Sequence, residues 1–277
     1  MKISRPFRII FTLAGIAIIC LARWILFIPR QPSYNGKPLS YWMSRYEVRI
    51  RGKVALYSTD HEVDKAVREI GTNALPYLLK LAGRKDSALK HGFFSIYRRQ
   101  SWLKLPIHDA QFYRTESTYG FGALHAIARP AVPGLIRLLK DEDFQIRAIA
   151  ANNLAMIGPD AEEAIPALFP LLDERNHGKP ILEAMLALGA IHRRPEIVLP
   201  RLLEFLNGDR KDWNYQSPAL DAIGRYQSEA KDLAPVIMTF LDDPDSSRKS
   251  SAESALIMVD PQLAQKTFRE RSARQSY

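Results

Sequence analysis

The sequence predicts an all-α protein: a right-handed α-solenoid of about six helix pairs, preceded by one N-terminal transmembrane or signal helix. Two observations carry this prediction. A short apolar segment containing a proline recurs along the chain, and an apolar stretch fills most of the first 30 residues. The composition of the 277 residues, 47% hydrophobic and 25% charged, is that of an ordinary folded protein.

The spacing of this recurring segment gives the length of the repeat. It is seen in segments such as NALPYLLKLA and EAIPALFPLL, and its prolines are Pro76, Pro133, Pro166, Pro200 and Pro235. The last three intervals between these prolines are 33, 34 and 35 residues, a period typical of solenoids. The first interval is 57 residues, which indicates an insertion of about 22 residues between the first two repeats.

Each repeat reads as two helices joined by a short turn. The proline suits the first turn of the second helix, where its missing N–H has no intrahelical partner. Apolar residues two, three and six positions after it predict one buried face. The preceding helix is expected to end in a hydrophobic residue six or nine positions before the proline, with glycine caps nearby. These predicted ends are Ile70, Ile127, Ile157, Ile191 and Tyr226, and the predicted caps are Gly71, Gly158 and Gly189.

The N-terminal segment reads as a membrane anchor. Ile9 to Ile28 would span roughly 30 Å as a helix, which matches a bilayer core. Arg23 could reach the headgroups, and Trp24 suits the membrane interface. A cleaved signal peptide and a lipoprotein modified at Cys20 are the alternatives, but an uncleaved anchor also accounts for the apolar residues after Arg23.

The orientation of this segment is less clearly marked. Basic residues on the N-terminal side favour an internal N-terminus, whereas those on the far side favour the reverse. These residues are Lys2, Arg5 and Arg8 on one flank and Arg30, Lys37 and Arg45 on the other. The short first tail favours an exported, extracytoplasmic C-terminal domain on a single-pass anchor.

Four parts follow from these patterns. Residues 1–30 form the anchor or signal segment, and residues 31–60 a linker and a lead-in helix. In the lead-in helix, Leu39, Trp42, Met43 and Tyr46 share one apolar face. Residues 61–262 form the repeats, with the insertion at about 84–116, and residues 263–277 a basic tail.

The repeats resemble the HEAT-repeat family in its short bacterial form, over about Glu62 to Pro261. The stretch from Asp141 to Leu172 is close to one full repeat of that type. The GKPLSYW segment at Gly36 to Trp42 is similar to the preface of membrane-anchored bacterial HEAT proteins. The resemblance implies an armadillo-like solenoid that binds proteins.

The same resemblance implies acid–arginine contacts between repeats. Asp141 with Arg147, and Asp242 with Arg248, match the family's interrepeat acid and arginine. The repeats that begin near Lys179 and Asp212 lack that arginine, so a continuous ladder is not expected.

Charge is unevenly distributed, and this suggests what the solenoid binds. Residues 1–140 carry 23 Lys and Arg against 8 Asp and Glu, whereas residues 141–277 carry 16 against 22. The second helices are expected to line the binding face. Its outward side chains run from basic to acidic, which suits a long polypeptide better than a uniform polyanion. The predicted partner-binding residues are Tyr77, Lys80, Arg137, Lys140, Arg201 and Glu204.

The predicted function is therefore a membrane-tethered protein–protein interaction scaffold without a catalytic step. The alternative is a module that binds nucleic acid or anionic lipid through the basic N-terminal half. Within the insertion, basic and aromatic residues interleave, which fits either a ligand surface or an additional packed helix.

The chain offers little evidence for an enzyme. It contains no Gly-rich phosphate loop, no H-E-x-x-H and no G-x-S-x-G motif. Cys20 is the single cysteine, and the six histidines are scattered without an i, i+4 pair. No cofactor or metal is predicted, and a HEAT-like enzyme remains a minor alternative.

Overall fold

The computed structural model describes residues 31–46, 61–86, 108–174, 178–207 and 213–275. This part of the chain is almost entirely helical, which confirms the all-α prediction. It opens with a two-residue antiparallel ladder, β1 (Ser33–Tyr34) with β2 (Lys37–Pro38), and a lead-in helix, α1 (Leu39–Ser44). An Asn35-Gly36 turn joins the two strands, and both residues have positive φ, as this class of tight hairpin turn requires.

Six helix pairs follow in the described residues. Their bounds are α2 (His61–Ile70) and α3 (Leu75–Ala82), α4 (Ala110–Leu124) and α5 (Val132–Leu138), α6 (Phe144–Ile157) and α7 (Ile165–Leu172), α8 (Gly178–Ile191) and α9 (Pro195–Leu203), α10 (Gln216–Gly224) and α11 (Ala234–Met238), and α12 (Ser246–Val259) and α13 (Pro261–Gln275). Short 3₁₀ helices join four of the pairs, at Gly71–Ala74, His125–Ala131, Gly158–Ala164 and Gln227–Leu233, and a fifth, Trp213–Tyr215, precedes α10.

The pairs pack in sequence order. Each first helix contacts the first helix of the next pair, and second helices pack against the first helix that follows them. One hydrophobic cluster therefore extends from Leu39 in α1 to Ala264 in α13. The lead-in helix buries its predicted apolar face, because Leu39, Trp42 and Met43 are buried against α2 and α4.

The proline rule holds in four of the five repeats. Pro76, Pro133, Pro166 and Pro235 lie in the first turn of α3, α5, α7 and α11. Pro200 differs because α9 begins earlier, at Pro195, which leaves Pro200 inside the helix. Of the predicted apolar positions, the second and sixth after each proline are buried and the third is half-buried.

In the first five pairs, the turn after the first helix has a backbone with positive φ. Gly71 and Gly158 occupy it with φ of 60° and 75°, as predicted. The same position holds His125, His192 and Gln227 in other repeats, with φ between 46° and 49°. Glycine therefore does not mark the positive-φ position in every repeat.

Two predicted helix ends and one predicted cap are wrong. α4 ends at Leu124, nine residues before its proline, and Ile127 lies in the 3₁₀ turn with 42% of its surface exposed. α10 ends at Gly224 rather than at Tyr226. Gly189 lies inside α8, where an added Cβ would come within 3.0 Å of Ala222 in α10.

The basic tail and part of the insertion belong to helices. Residues 263–275 lie in α13, which packs on α12. Residues 110–116, assigned to the insertion, form the start of α4. The predictions for residues 1–30, including Arg23 and Trp24, and for insertion residues 87–107 concern residues outside the described ranges. In the part that is described, no helix is long and apolar enough to cross a membrane.

Arginine side chains join neighbouring helix pairs at the loops that connect one pair to the next. We call this side of the array the loop edge. Arg147 makes two bonds to the Glu174 carboxylate, at 2.7 and 2.6 Å, and also donates to the main-chain oxygen of Asp141. Arg147 thus links the loop that precedes α6 to the loop that follows α7. Asp141, which the resemblance pairs with Arg147, therefore contacts it through its main-chain oxygen, whereas its carboxylate lies 2.8 Å from Lys85.

Similar contacts recur along this edge. Arg114 in α4 reaches Asp143 at the start of α6, with 3.0 Å between Nη1 and Oδ2. Arg271 in α13 reaches Asp242 after α11. Arg248 pairs with Asp243 rather than with the predicted Asp242, and this contact holds the pKa of the Asp243 carboxyl below its ordinary value.

We expect the Arg147→Lys variant to lower the free energy of unfolding by about 1–2 kcal/mol, because lysine cannot reproduce the two-point contact or the bonds to main-chain oxygens. The control is Arg137→Lys, at an exposed position in α5, which should change stability by less than about 0.5 kcal/mol. Urea denaturation followed by circular dichroism measures both. Equal losses in the two variants would contradict a special role for Arg147.

Candidate partner-binding surfaces

The second helices present the basic side chains that the sequence predicted. Lys80 in α3, Arg137 in α5 and Lys140 just after α5 are exposed. α3 and α5 lie side by side, because a Cβ added at Gly134 would fall 2.8 Å from the Leu79 side chain. Among the ion pairs found in the described residues, none includes these three cations. We call them the second-helix cations.

Tyr77 is less accessible than predicted. Its side chain is half-buried, and burial raises the pKa of its hydroxyl to about 12, with a further contribution from the carboxylate of Glu116. This environment is that of a packed side chain whose hydroxyl stays protonated at neutral pH.

Arg201 and Glu204 are not free charges. Arg201 donates from Nη1 to both carboxylate oxygens of Glu204, at 2.9 and 2.7 Å. Its Nη2 lies 3.1 Å from Oδ2 of Asp173, at the end of α7. The predicted change from basic to acidic charge along the second helices is therefore smaller than expected. Arg201 neutralises part of the acidic charge, that of Glu204 and Asp173.

A cavity that the sequence did not predict lies among the first helices. Its volume is about 410 Å³, and side chains from the end of α1, α2, α4, α6 and the start of α8 surround it. We call it the first-helix cavity. Most of its accessible wall is apolar, and the residues that form this wall include Tyr119, Ala123, Ile149 and Met156.

The wall on the α1 side is held by aromatic stacking and one strong hydrogen bond. The rings of Tyr46 and Tyr119 stack with centroids 5.2 Å apart. The Tyr46 hydroxyl donates to Asp64 Oδ1 at 2.5 Å, and Arg68 lies 4.0 Å from Oδ2 of the same carboxylate. Because Arg68 also donates to the carbonyl of Ala123, at 3.0 Å, it joins α2 to α4 beside the cavity.

Two amide side chains on the cavity wall are incompletely bonded. The side-chain oxygens of Gln111 and Asn152 are buried, and neither has a hydrogen-bond partner among the protein atoms. The orientation of Asn152 is fixed, because its Nδ2 donates to the Glu183 carboxylate at 2.6 Å. An unpaired buried acceptor lowers the free energy of unfolding by roughly 1–3 kcal/mol, and such groups are rare in folded proteins.

Sequence reasoning missed this cavity because its residues are far apart in the chain, from Tyr46 to Lys179. One local signal was available: Asn152 and Asn153 interrupt the otherwise apolar run of residues 148–157 in α6. Asn153 is satisfied by Ser117 and Thr118 of α4, whereas Asn152 is not fully satisfied.

No metal site is evident in the part of the chain that the structure describes, where no three His, Cys, Asp or Glu side chains gather closely enough to hold an ion.

The chain matches no protein-family profile and no curated protein sequence. Among solved structures it is similar to two engineered proteins from a structural genomics consortium. The first is 21% identical, with a TM-score of 0.41 over 74% of this chain and 94% of its own length. The second is 20% identical, with a TM-score of 0.41 over 74% of this chain and 56% of its own length. Neither similarity is close enough to support an argument about fold or function.

The Gln111→Met variant tests whether the unpaired side-chain oxygen of Gln111 lowers the stability of the fold. Methionine has nearly the same shape and removes the unpaired amide, so we expect the free energy of unfolding to rise by about 1 kcal/mol. Thermal unfolding of the wild type and the variant measures the difference. The control is Gln262→Met, at an exposed position in α13, which should leave stability unchanged. A loss of stability in Gln111→Met would show that the amide is already satisfied.

Proposed function

We propose that the protein is a scaffold for protein–protein interaction that acts without a covalent step. In this proposal the six helix pairs form a right-handed HEAT-like solenoid, and residues 1–30 tether it to a membrane. The packing of each pair on its neighbours supports a continuous array, and such arrays present long surfaces to extended partners.

The second-helix cations carry the proposal. Lys80, Arg137 and Lys140 are exposed on or just after adjacent helices, and they take part in no ion pair among the described residues. Two other cations of the basic half contact carboxylates of the fold: Lys85 pairs with Asp141, and Arg114 is buried against Asp143. A small group of free cations suits a few acidic side chains of a polypeptide, whereas a nucleic-acid backbone needs cations along its whole length.

The test is a triple charge reversal, Lys80→Glu with Arg137→Glu and Lys140→Glu. The probe is a fluorescent peptide of ten glutamates, and fluorescence anisotropy measures its binding to the full chain. We expect affinity to fall at least about tenfold, because three exposed ion pairs contribute about 0.5–1 kcal/mol each.

The matched control reverses three exposed cations elsewhere, Lys65, Lys266 and Arg269. An equal loss of affinity would mean that net charge alone attracts the peptide, and the proposed surface would then be wrong. A single-stranded DNA probe tests the alternative function. Binding with a salt dependence steeper than three phosphate contacts can explain would favour a nucleic-acid module.

The membrane tether is tested by protease protection. Protease is added to intact cells, then after opening of any outer membrane, and finally after opening of the inner membrane, while a C-terminal tag is followed. We expect cleavage before the inner membrane is opened, because the short N-terminal tail and the signal-like pattern favour an exported domain. Cleavage after that step and not before would place the repeats in the cytoplasm. A chain that stays in the soluble fraction throughout would exclude the tether.

A further inference from the structure

We propose that the first-helix cavity binds a small amphipathic carboxylic acid. In this model the apolar chain of the acid fills the cavity, and its carboxylate contacts the guanidinium group of Arg68. The inference goes beyond the scaffold function and does not depend on it, because none of the second-helix cations lies on the cavity wall.

The volume of the cavity sets the size of the ligand. Its value of about 410 Å³ lies in the range of sites that hold small organic molecules. At roughly 30 Å³ for each group of the size of a water molecule, the cavity holds about 14 non-hydrogen atoms. Dodecanoic acid has that number of non-hydrogen atoms, so it is a suitable probe.

The wall of the cavity suits an apolar chain. Ile149 and Ala123 form buried parts of the wall, and Met156 and Tyr119 form half-buried parts. The methionine side chain is flexible and packs against guests of varied shape. An apolar guest would remove this surface from water, which is favourable in proportion to the area that it covers.

Gly122 leaves part of the cavity open. It lies in the last turn of α4, where an added Cβ would meet Met156 Sδ at an ordinary 3.5 Å. Gly120 differs, because a Cβ there would collide with the side chain of Leu78. Close packing therefore accounts for Gly120 but not for Gly122. Since a helix disfavours glycine relative to alanine, the space left at Gly122 favours a cavity that is filled by a guest.

Most polar side chains of the wall are bonded to other protein groups. Thr118 Oγ1 donates to an amide oxygen of α6 at 2.9 Å, and Thr115 Oγ1 donates to a carbonyl of its own helix at 3.0 Å. The Tyr46 hydroxyl donates to a carboxylate of α2. The side-chain oxygens of Gln111 and Asn152 have no accessible surface, so a ligand in the cavity does not reach them.

Arg68 presents unused donors at the cavity. Its Nε donates to the carbonyl of Ala123 at 3.0 Å, which holds the guanidinium group beside the wall. Nη2 lies 4.0 Å from Asp64, beyond hydrogen-bond distance, and neither Nη atom donates to another of the described residues. The side chain is 54% exposed, so an anion can reach it. The two Nη atoms match the two oxygens of a carboxylate.

The charges at the cavity also favour an anion. Arg68 and Lys179 both line it, and Lys179 takes part in no ion pair among the described residues. Of the described residues that line the cavity, Asp64 alone carries a carboxylate, and it already accepts a hydrogen bond. The carboxylate of Glu183, next to the wall, accepts one from a wall amide. A cationic ligand would therefore find these carboxylates already bonded, whereas an anionic ligand finds two available cations.

The experiment compares dodecanoic acid with dodecanol, its uncharged counterpart. The full chain, isotope-labelled at its methionine methyl groups, is titrated at one fixed concentration of non-ionic detergent. NMR follows the Met156 methyl signal, which is assigned with the Met156→Leu variant and reports on the cavity wall. Partition of the probes into detergent is the same for every variant, so it cancels in the comparison.

We expect dodecanoic acid to shift the Met156 signal saturably and to raise the temperature of unfolding. Arg68→Gln should lower the affinity for the acid about tenfold and change that for dodecanol by less than about twofold, because the lost hydrogen bond requires the carboxylate. The matched control is Arg269→Gln, at an exposed position in α13, which should change neither affinity.

Two variants that fill the cavity test the place of binding. Gly122→Leu and Thr115→Leu enter it from different turns of α4 and should abolish the binding of both probes. Ser254→Leu is the control, since it adds the same side chain at an exposed site on α12 and should bind both probes normally. Circular dichroism confirms that each variant is folded, and the second filling variant replaces the first if that one fails to fold.

Three results would overturn the inference. The first is the absence of a saturable Met156 shift up to about 1 mM dodecanoic acid. The second is equal binding of the acid by the wild type and by the filling variants. The third is an equal loss of affinity for the acid and for dodecanol in Arg68→Gln, because Arg68 would then act only through the fold. None of these results bears on the second-helix cations, so the scaffold function is judged by its own test.

Discussion

A short helix pair cannot bury its own apolar face, and the whole structure depends on this constraint. The second helices have only five to nine residues in α3, α5, α7, α9 and α11. Helices this short are unstable alone, so each must be covered by its neighbours. Each second helix is covered by the first helix of the next pair, and these contacts, with those between successive first helices, produce one hydrophobic cluster along the described chain. Stability is therefore expected to be shared between neighbours rather than held within single pairs.

Polar contacts at the loop edge set how the pairs meet. Apolar packing is non-directional, whereas the two-point contact of Arg147 with Glu174 fixes both distance and angle. Arg114 and Arg271 make related contacts at other places along this edge. These arginines act as spacers between loops. Of these three, Arg114 belongs to the basic N-terminal half, and its charge is used inside the fold.

Much of the fold could be predicted because short-range sequence patterns determine where most of its helices form. Prolines that favour a first turn, and apolar residues at helical spacing, identified the second helices, and the lead-in helix was evident from Leu39, Trp42 and Met43. The positions of the helix ends were harder, because the positive-φ turn accepts His125 and Gln227 as well as glycine. Local sequence does not reveal which residue tolerates that backbone.

The sites were predictable only in part. Exposure of Lys80 and Arg137 follows from helical periodicity, which sequence supplies. The partners of Arg201 and the burial of Tyr77 depend on the neighbouring pair, and no local pattern contains that information. The first-helix cavity is the extreme case, since it exists only where five elements meet. Unsatisfied groups such as the Asn152 oxygen become visible only when all possible partners are in place.

Hydrogen exchange in a core variant tests the sharing of stability between neighbouring pairs most directly. Leu154 is fully buried in α6, and Leu154→Ala should destabilise its surroundings by about 2–5 kcal/mol. Exchange of backbone amides, followed by mass spectrometry, would be compared between this variant and the wild type. We predict that protection falls in α6 and in its neighbours α4 and α8, with much smaller changes in α12. An equal loss in every helix, or a loss confined to α6, would contradict this account.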